Sequence, residues 1–118
     1  MNIEATVITW LNSILDDGWI AYGDKPKGEN AEFVLVDRTG GPRESMVLDQ
    51  AEILIEVYEK NSRSAASIKA DNIADRIIEL EAYASNITRA KVNSVVNLDD
   101  TVDSYYRYQI YCDVFNRR

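Results

Sequence analysis

Hydrophobic and polar positions change their period along the chain. Between Ala51 and Tyr58 the alternation is strict, with Ile53, Ile55 and Val57 on one side and Glu52, Leu54, Glu56 and Tyr58 on the other. A period of two is that of a strand with one buried face. The period then lengthens. Ala66, Ala70, Ile73, Ile77 and Leu80 recur at steps of four, three, four and three, which sets them in one stripe of a helix running to Tyr83. Small residues lead this stripe and large ones end it, so the helix can lie close to a sheet at its start. Ser62 or Ser64 can cap the first turn by accepting a free backbone N–H. This strand–helix unit, residues 51–83, is the expected nucleus of the fold.

The remaining segments read as its cover. Ile3, Val7, Trp10, Leu11, Ile14 and Leu15 share a face at helical spacing, which predicts a helix over 3–17 with Asn2 as its cap and Gly18 at its left-handed end. Trp10 and Trp19 bracket that end as core packing. A short strand is expected at 19–22, then a polar loop over 23–30, the best candidate for a mobile loop. Phe33 to Arg38 is a nearly continuous apolar strand, as if both its faces were covered, and Thr39-Gly40-Gly41-Pro42 ends it. Residues 43–48 read as strand or loop. After the second helix stops at Ser85-Asn86, a strand over 91–98 puts Val92, Ser94, Val96 and Leu98 on one face. An acidic loop over 99–104 leads to a last strand over 105–115, with Tyr106, Tyr108, Ile110, Cys112 and Val114 facing inward, and these two strands predict an antiparallel hairpin. The fold class is α+β: one domain over 1–118, with a four- to five-stranded mixed sheet and two helices packed on one face.

Composition narrows the chemistry. A chain of 118 residues can bury a core without staples. It has no histidine, which removes Ser–His and Cys–His catalysis and the commonest metal ligand. Its one cysteine, Cys112, allows no intrachain disulfide and reads as a small buried hydrophobe in a strand. Asp16 and Asp17 diverge on a helix. Asp99, Asp100 and Asp103 lack the alternating ligands, turn glycine and distant Glu of a calcium loop. Arg38-Thr39-Gly40-Gly41 is followed by Pro42, Arg43 and Glu44, not by the Lys and Ser/Thr of a phosphate loop. No enzyme, metal or cofactor is expected. Nor is a membrane span or a secretory signal, since Glu4 stands where a basic segment would begin. Without such a signal, Asn86-Ile87-Thr88 reads as a chance glycosylation sequon. The net charge of −7 falls entirely on residues 1–60, with 12 acidic and 5 basic residues; residues 61–118 carry 8 of each. Such acidity opposes phosphate-driven nucleic-acid binding.

The last strand has a second face, with Tyr105, Arg107, Tyr111 and Phe115 alongside Gln109 and Asp113. Tyr and Arg are residues that protein interfaces favour. Four features then occur in an order that resembles the small tail terminator (tail completion) proteins of long-tailed bacteriophages. They are the amphipathic N-terminal helix, the apolar strand ending in Arg38-Thr39-Gly40-Gly41, the unit at 51–83 with its Ser- and Ala-rich helix start, and the Asp-rich loop before Tyr106-Arg107-Tyr108. The chain departs from many members in carrying Asp49-Gln50-Ala51, without a proline, before the central strand. The resemblance implies a subunit that assembles as a ring of six in the virion neck, formed in the host bacterial cytoplasm. The ring would cap the head-proximal end of the tail tube, stop its polymerisation and join the tail to the head connector. Implied partners are further copies of the chain, the tail tube protein and the connector, with DNA passing through unbound. Contacts are then expected from loops 23–32, 39–46 and 99–104 and from the last strand, making Arg38, Thr39, Gly40, Gly41, Arg43, Asp99, Asp100, Asp103, Tyr105, Arg107, Tyr111 and Phe115 the candidate interface. Two other readings stand beside this one: another neck or head–tail joining protein, and a non-viral small-ligand-binding regulatory domain.

Overall fold

The computed structural model describes residues 2–16, 18–28, 30–41 and 48–117. Helix α1 spans Ile3–Ile14, and the side chain of Asn2 caps it by accepting from the Ala5 N–H. It stops three residues short of the expected end, because Leu15 already has extended backbone. Gly18 does take a left-handed φ of +82°, but in the turn that feeds β1 (Ala21–Tyr22). Strand β2 (Glu32–Gly40) and strand β3 (Leu48–Glu59) follow. Helix α2 (Arg63–Arg76) is capped by the Ser62 side chain, which accepts from the Ala65 N–H. A 3-10 turn (Ile77–Glu79) and the short helix α3 (Leu80–Tyr83) then lead to β4 (Ile87–Asn97) and β5 (Tyr106–Arg117). The predicted single helix to Tyr83 is thus broken at Ile77–Glu79, where Arg76 and Glu79 pair across the tighter turn. The apolar stripe survives the break, since Ala66, Ala70, Ile73, Ile77 and Leu80 are all buried.

The five strands run in the order β1-β2-β3-β5-β4. Only the β1–β2 pair is parallel, so the sheet is mixed. Strand β3 lies at the centre and pairs along its whole length with β5, and β4 and β5 form the predicted hairpin. Both helices lie on one face. There Ile3, Val7, Trp10 and Leu11 of α1 and Ala70 and Ile73 of α2 share one buried cluster with Val34, Val36, Ile53, Ile55, Val57, Ile110, Cys112 and Val114. Trp10 is wholly buried, and Trp19 packs half-buried at the margin of this core. The apolar run of β2 has both faces covered at its start: Val34 turns to the helices, and Phe33 turns to a second, three-ring cluster on the opposite face.

Two expected strand patterns need correction. Between Val92 and Ser94 the β4–β5 register slips. Val92 stands opposite Cys112 on the helix side, but beyond the slip it is Val95 that stands opposite Ile110, while Val96 stands opposite Gln109 on the other face. A strict alternation cannot count the extra residue of a bulge. Strand β2 runs on through Gly40 with a slip between Arg38 and Gly40. Gly41 then takes φ +119°, and a Cβ there would lie 2.1 Å from the Gln50 carbonyl oxygen, so the turn requires glycine. Leu48 opens β3. Pro42, Arg43, Met46 and Val47 lie outside the described residues.

Candidate functional site

The sheet register separates the candidate residues. Glu59 of β3 stands opposite Tyr106 of β5, so the 99–105 loop lies at the end of the sheet where β3 finishes. Arg38 and Gly40 stand opposite Ile53 and Glu52, roughly 20 Å further along at strand rise. Phe115, opposite Gln50, belongs to this second end. Arg38–Gly41 and Asp99–Asp103 are therefore two sites.

At the first end the acidic loop is folded onto cations of the same chain. Asp100 and Tyr105 exchange backbone hydrogen bonds of 2.9 and 3.0 Å. The Asp100 carboxylate accepts the N–H groups of Val102 and Asp103 at 3.1 and 3.3 Å. Lys25 pairs with Asp103 and, at 3.5 Å, with Asp100, and its hydrogen bond to Asp103 raises its pKa. Arg63 donates to Asp99 at 2.8 Å and to Asn97 at 3.0 Å. Asn97 in turn donates to Asp99, the largest cause of that carboxyl's lowered pKa. The loop 23–30, expected to be mobile, is tied here by Lys25 and by the Tyr105 hydroxyl, which donates to the Asn30 carbonyl at 2.5 Å. Among the described residues, no group of three or more His, Cys, Asp or Glu is placed to hold a metal ion.

Tyr105 was expected on an open face. Instead it is buried, edge-on to Phe33 and Tyr58 at centroid distances of 5.4 and 5.6 Å. Phe33 and Tyr58 stack at 4.6 Å. The rings leave one another little contact with water, so Tyr105 is core at this end.

Across β3 and β5 the helix-free face carries one polar chain. The Tyr111 hydroxyl donates to Gln109 at 3.0 Å, and Gln109 donates to Glu56 at 3.0 Å. Glu56 pairs with Arg107 at 3.5 Å, and Arg107 donates to the Tyr58 hydroxyl at 3.2 Å and to the Leu98 carbonyl at 2.8 Å. Burial, only partly offset by Arg107, pushes the Tyr58 phenol up. Arg107 was expected to be presented to a partner, but its Nε and Nη1 groups are engaged within the chain. Tyr111 is the most open of the set, at 39% exposed. The contributions of Glu56, Tyr58 and Gln109 were missed as site residues. Their one signal was position, since Glu56 and Tyr58 alternate with Ile55 and Val57.

At the second end the Arg38 N–H donates to Glu4 at 3.2 Å, and the Thr39 hydroxyl donates to the Glu52 carbonyl at 3.4 Å. Arg43 is outside the described residues. Between the ends of α1 and α2 lies a cavity of about 250 Å³ lined by Ile14, Leu15, Asn72 and Ile73, with the Lys69–Asp16 ion pair at 2.7 Å. The hydrogen bond from Lys69 holds the Asp16 carboxyl below its ordinary value. Cys112 is buried, and desolvation pushes its thiol up to about 12.

These elements define an α+β domain whose sheet carries helices on one face and an internally bonded polar surface on the other. No protein-family model matches the chain, and no curated protein matches it. Among the described residues no helix is long and apolar enough to cross a membrane.

Proposed function

We propose that the chain is a structural subunit of a bacteriophage virion that acts without catalysis. Six copies close into a ring on the head-proximal end of the tail tube, end its polymerisation and present a surface to the head connector. The observation that carries this reading is the helix-free face of the sheet. Tyr111, Gln109, Glu56 and Arg107 are held there by one another on two long, fully paired strands. A partner meeting such a surface orders few side chains on binding, which lowers the cost of association. Charge supports the same reading, because the −7 of the chain suits a passage through which DNA must move without phosphate contacts.

The test is a tube-capping assay with the matching tail tube protein, imaged by negative stain, alongside light scattering of the free chain. Rings of about six times 13.4 kDa, free or seated on tube ends, and tubes that stop growing are the expected result. Tubes that grow without limit and bare tube ends in the presence of excess chain would reject the proposal. Binding to connector but not to tube would move the chain to another place in the neck. Tyr111→Ala is the variant to compare, because Tyr111 is open and, among the described residues, its hydroxyl bonds only to Gln109. It should reduce assembly while leaving the circular dichroism of the subunit unchanged.

A further inference from the structure

One cation of the chain is seated against the three-ring cluster. The Tyr58 and Tyr105 rings stand at 88° to each other and form a corner. The Lys25 ammonium lies in that corner, 5.7 Å from each ring centroid. It pairs there with the carboxylates of Asp103 and, at 3.5 Å, Asp100. Aromatic faces and carboxylates both attract an ammonium group, and the Tyr105 ring draws a second one, that of Lys60, at 5.3 Å. A cavity of about 210 Å³ opens beside the corner, lined by Lys25, Gly28, Lys60, Asp103 and Tyr105. The walls and the occupant are held differently. Tyr58 and Tyr105 are buried, and the Asp100 side chain is only 13% exposed. Lys25 is 41% exposed and comes in on the 23–30 loop with its Gly23, Pro26 and Gly28. Among the described residues of that loop, Lys25 and Asn30 alone make hydrogen bonds or ion pairs to the rest of the chain. A Cβ at Gly28 would meet nothing within 4 Å, so the loop has room to move.

We infer that this corner is a site for the ammonium group of a lysine side chain, filled in the free chain by Lys25 and open to a lysine of a partner protein that takes its place. The occupant itself shows which chemistry the corner holds. An ion pair as exposed as that of Lys25 contributes little, so exchange is cheap. Leaving the corner empty is not equivalent to exchange. The Asp100 carboxylate is fixed by the N–H groups of Val102 and Asp103, so it stays where it is and loses its cation. Arg63 does not replace Lys25, because it is held by Asp99 and Asn97. One lysine for another keeps both the charges and the ring contacts. Lys25 is thus a built-in competitor, which lowers the apparent affinity of the site for an outside lysine by the fraction of time it occupies the corner. The inference does not rest on the ring reading, since it concerns this end of the sheet whichever protein supplies the lysine.

The experiment is an NMR titration of the full chain with N-acetyl-lysine N′-methylamide at constant ionic strength. It follows the amide signals of Val102 and Asp103, whose N–H groups bond to Asp100. The norleucine analogue, similar in shape and uncharged, is the control. In Lys25→Ala the capped lysine should shift both signals saturably, and the norleucine analogue should not. Wild type should need about tenfold more capped lysine for the same shift, because an ion pair and two ring contacts are displaced first. Adding Asp100→Asn to Lys25→Ala should abolish the response. In wild type the Lys25 Cε–Hε signals, which the two rings hold away from ordinary values, should move to those of a free lysine as the probe saturates. An equal response to both probes, or none to either, overturns the site. So does a response that survives Asp100→Asn. Equal affinity in wild type and Lys25→Ala overturns the role of Lys25 as competitor. Where Lys25→Ala does not fold, the Lys25 signals of wild type decide alone: signals that stay in place at high probe concentration overturn the exchange.

Discussion

Along β3 and β5, Ile53, Ile55, Val57, Ile110, Cys112 and Val114 lie under two helices, while Glu56, Tyr58, Arg107, Gln109 and Tyr111 face the other way. The first set is held by burial, which is non-directional and gives about 1.5–3 kcal/mol for each large side chain. The second set is held by hydrogen bonds worth about 1 kcal/mol each, net, but each depends on a named partner. Burial tolerates substitution of shape for shape. The polar chain does not, since removing one member leaves its neighbours unsatisfied. Each face also contains one exception to its own rule, at the end of the sheet where β3 finishes. The polar face holds the buried rings of Phe33, Tyr58 and Tyr105. The helix face holds Glu32 beside Glu59, which is itself buried and accepts the Asn61 and Ser62 N–H groups at 2.5 and 3.2 Å.

The largest expected loss breaks the helix face at its centre. Ile55→Ala should cost about 4 kcal/mol by chemical denaturation, because Ile55 is wholly buried and the surrounding strands cannot collapse into the space. On the other face, Arg107→Ala should cost about 2 kcal/mol, since it leaves Glu56 without its cation and the Tyr58 hydroxyl without its donor. A loss as small as that of an exposed ion pair, under about 0.5 kcal/mol, would show that this network adds nothing to stability. Ser62→Ala should cost about 1 kcal/mol through the lost cap of α2, whichever face that helix serves.

The smallest effect is a change of pH dependence at the exception on the helix face. Burial first, and then the hydrogen bond and charge of Glu59, raise the Glu32 pKa. A raised carboxyl pKa means that the folded chain holds the proton more tightly than the unfolded chain. Its stabilisation is fully present below the ordinary Glu value and is lost as pH rises through the folded value. Glu32→Gln keeps a neutral donor toward Glu59. It should flatten that part of the stability–pH profile and be at least as stable as wild type at neutral pH, measured by thermal melts across the range. An unchanged profile would show that folding does not raise the Glu32 carboxyl.

The helix face could be read almost residue by residue, because burial needs only the right period. Every member of the α2 stripe is buried, and so are Ile3, Val7, Trp10 and Leu11 of α1. The second face could be read as a set of positions but not as a set of bonds. Tyr105 and Arg107 have the side chains of an interface, yet one is enclosed by Phe33 and Tyr58 and the other is bonded to Tyr58, Glu56 and Leu98. Those partners lie on β2, on β3 and just past β4, and no local pattern brings them to mind. The two candidate loops, both polar and turn-rich in sequence, are set at opposite ends of the sheet by strand register.

The sequence alone therefore determined the elements, the sheet with its helices on one face, and the inward residues of β3, α1 and α2. These follow from period, capping and burial, which act within a few neighbouring residues. Only the tertiary structure decided the strand order, the bulge that turns Val95 rather than Val96 toward the helices, the ties of Lys25 to the acidic loop, and the bonds from the Asn12 side chain of α1 to both backbone groups of Ala21 in β1. Those depend on which distant segments meet, and a bulge or a single hydrogen-bonding amide such as Asn12 leaves no trace in the hydrophobic period.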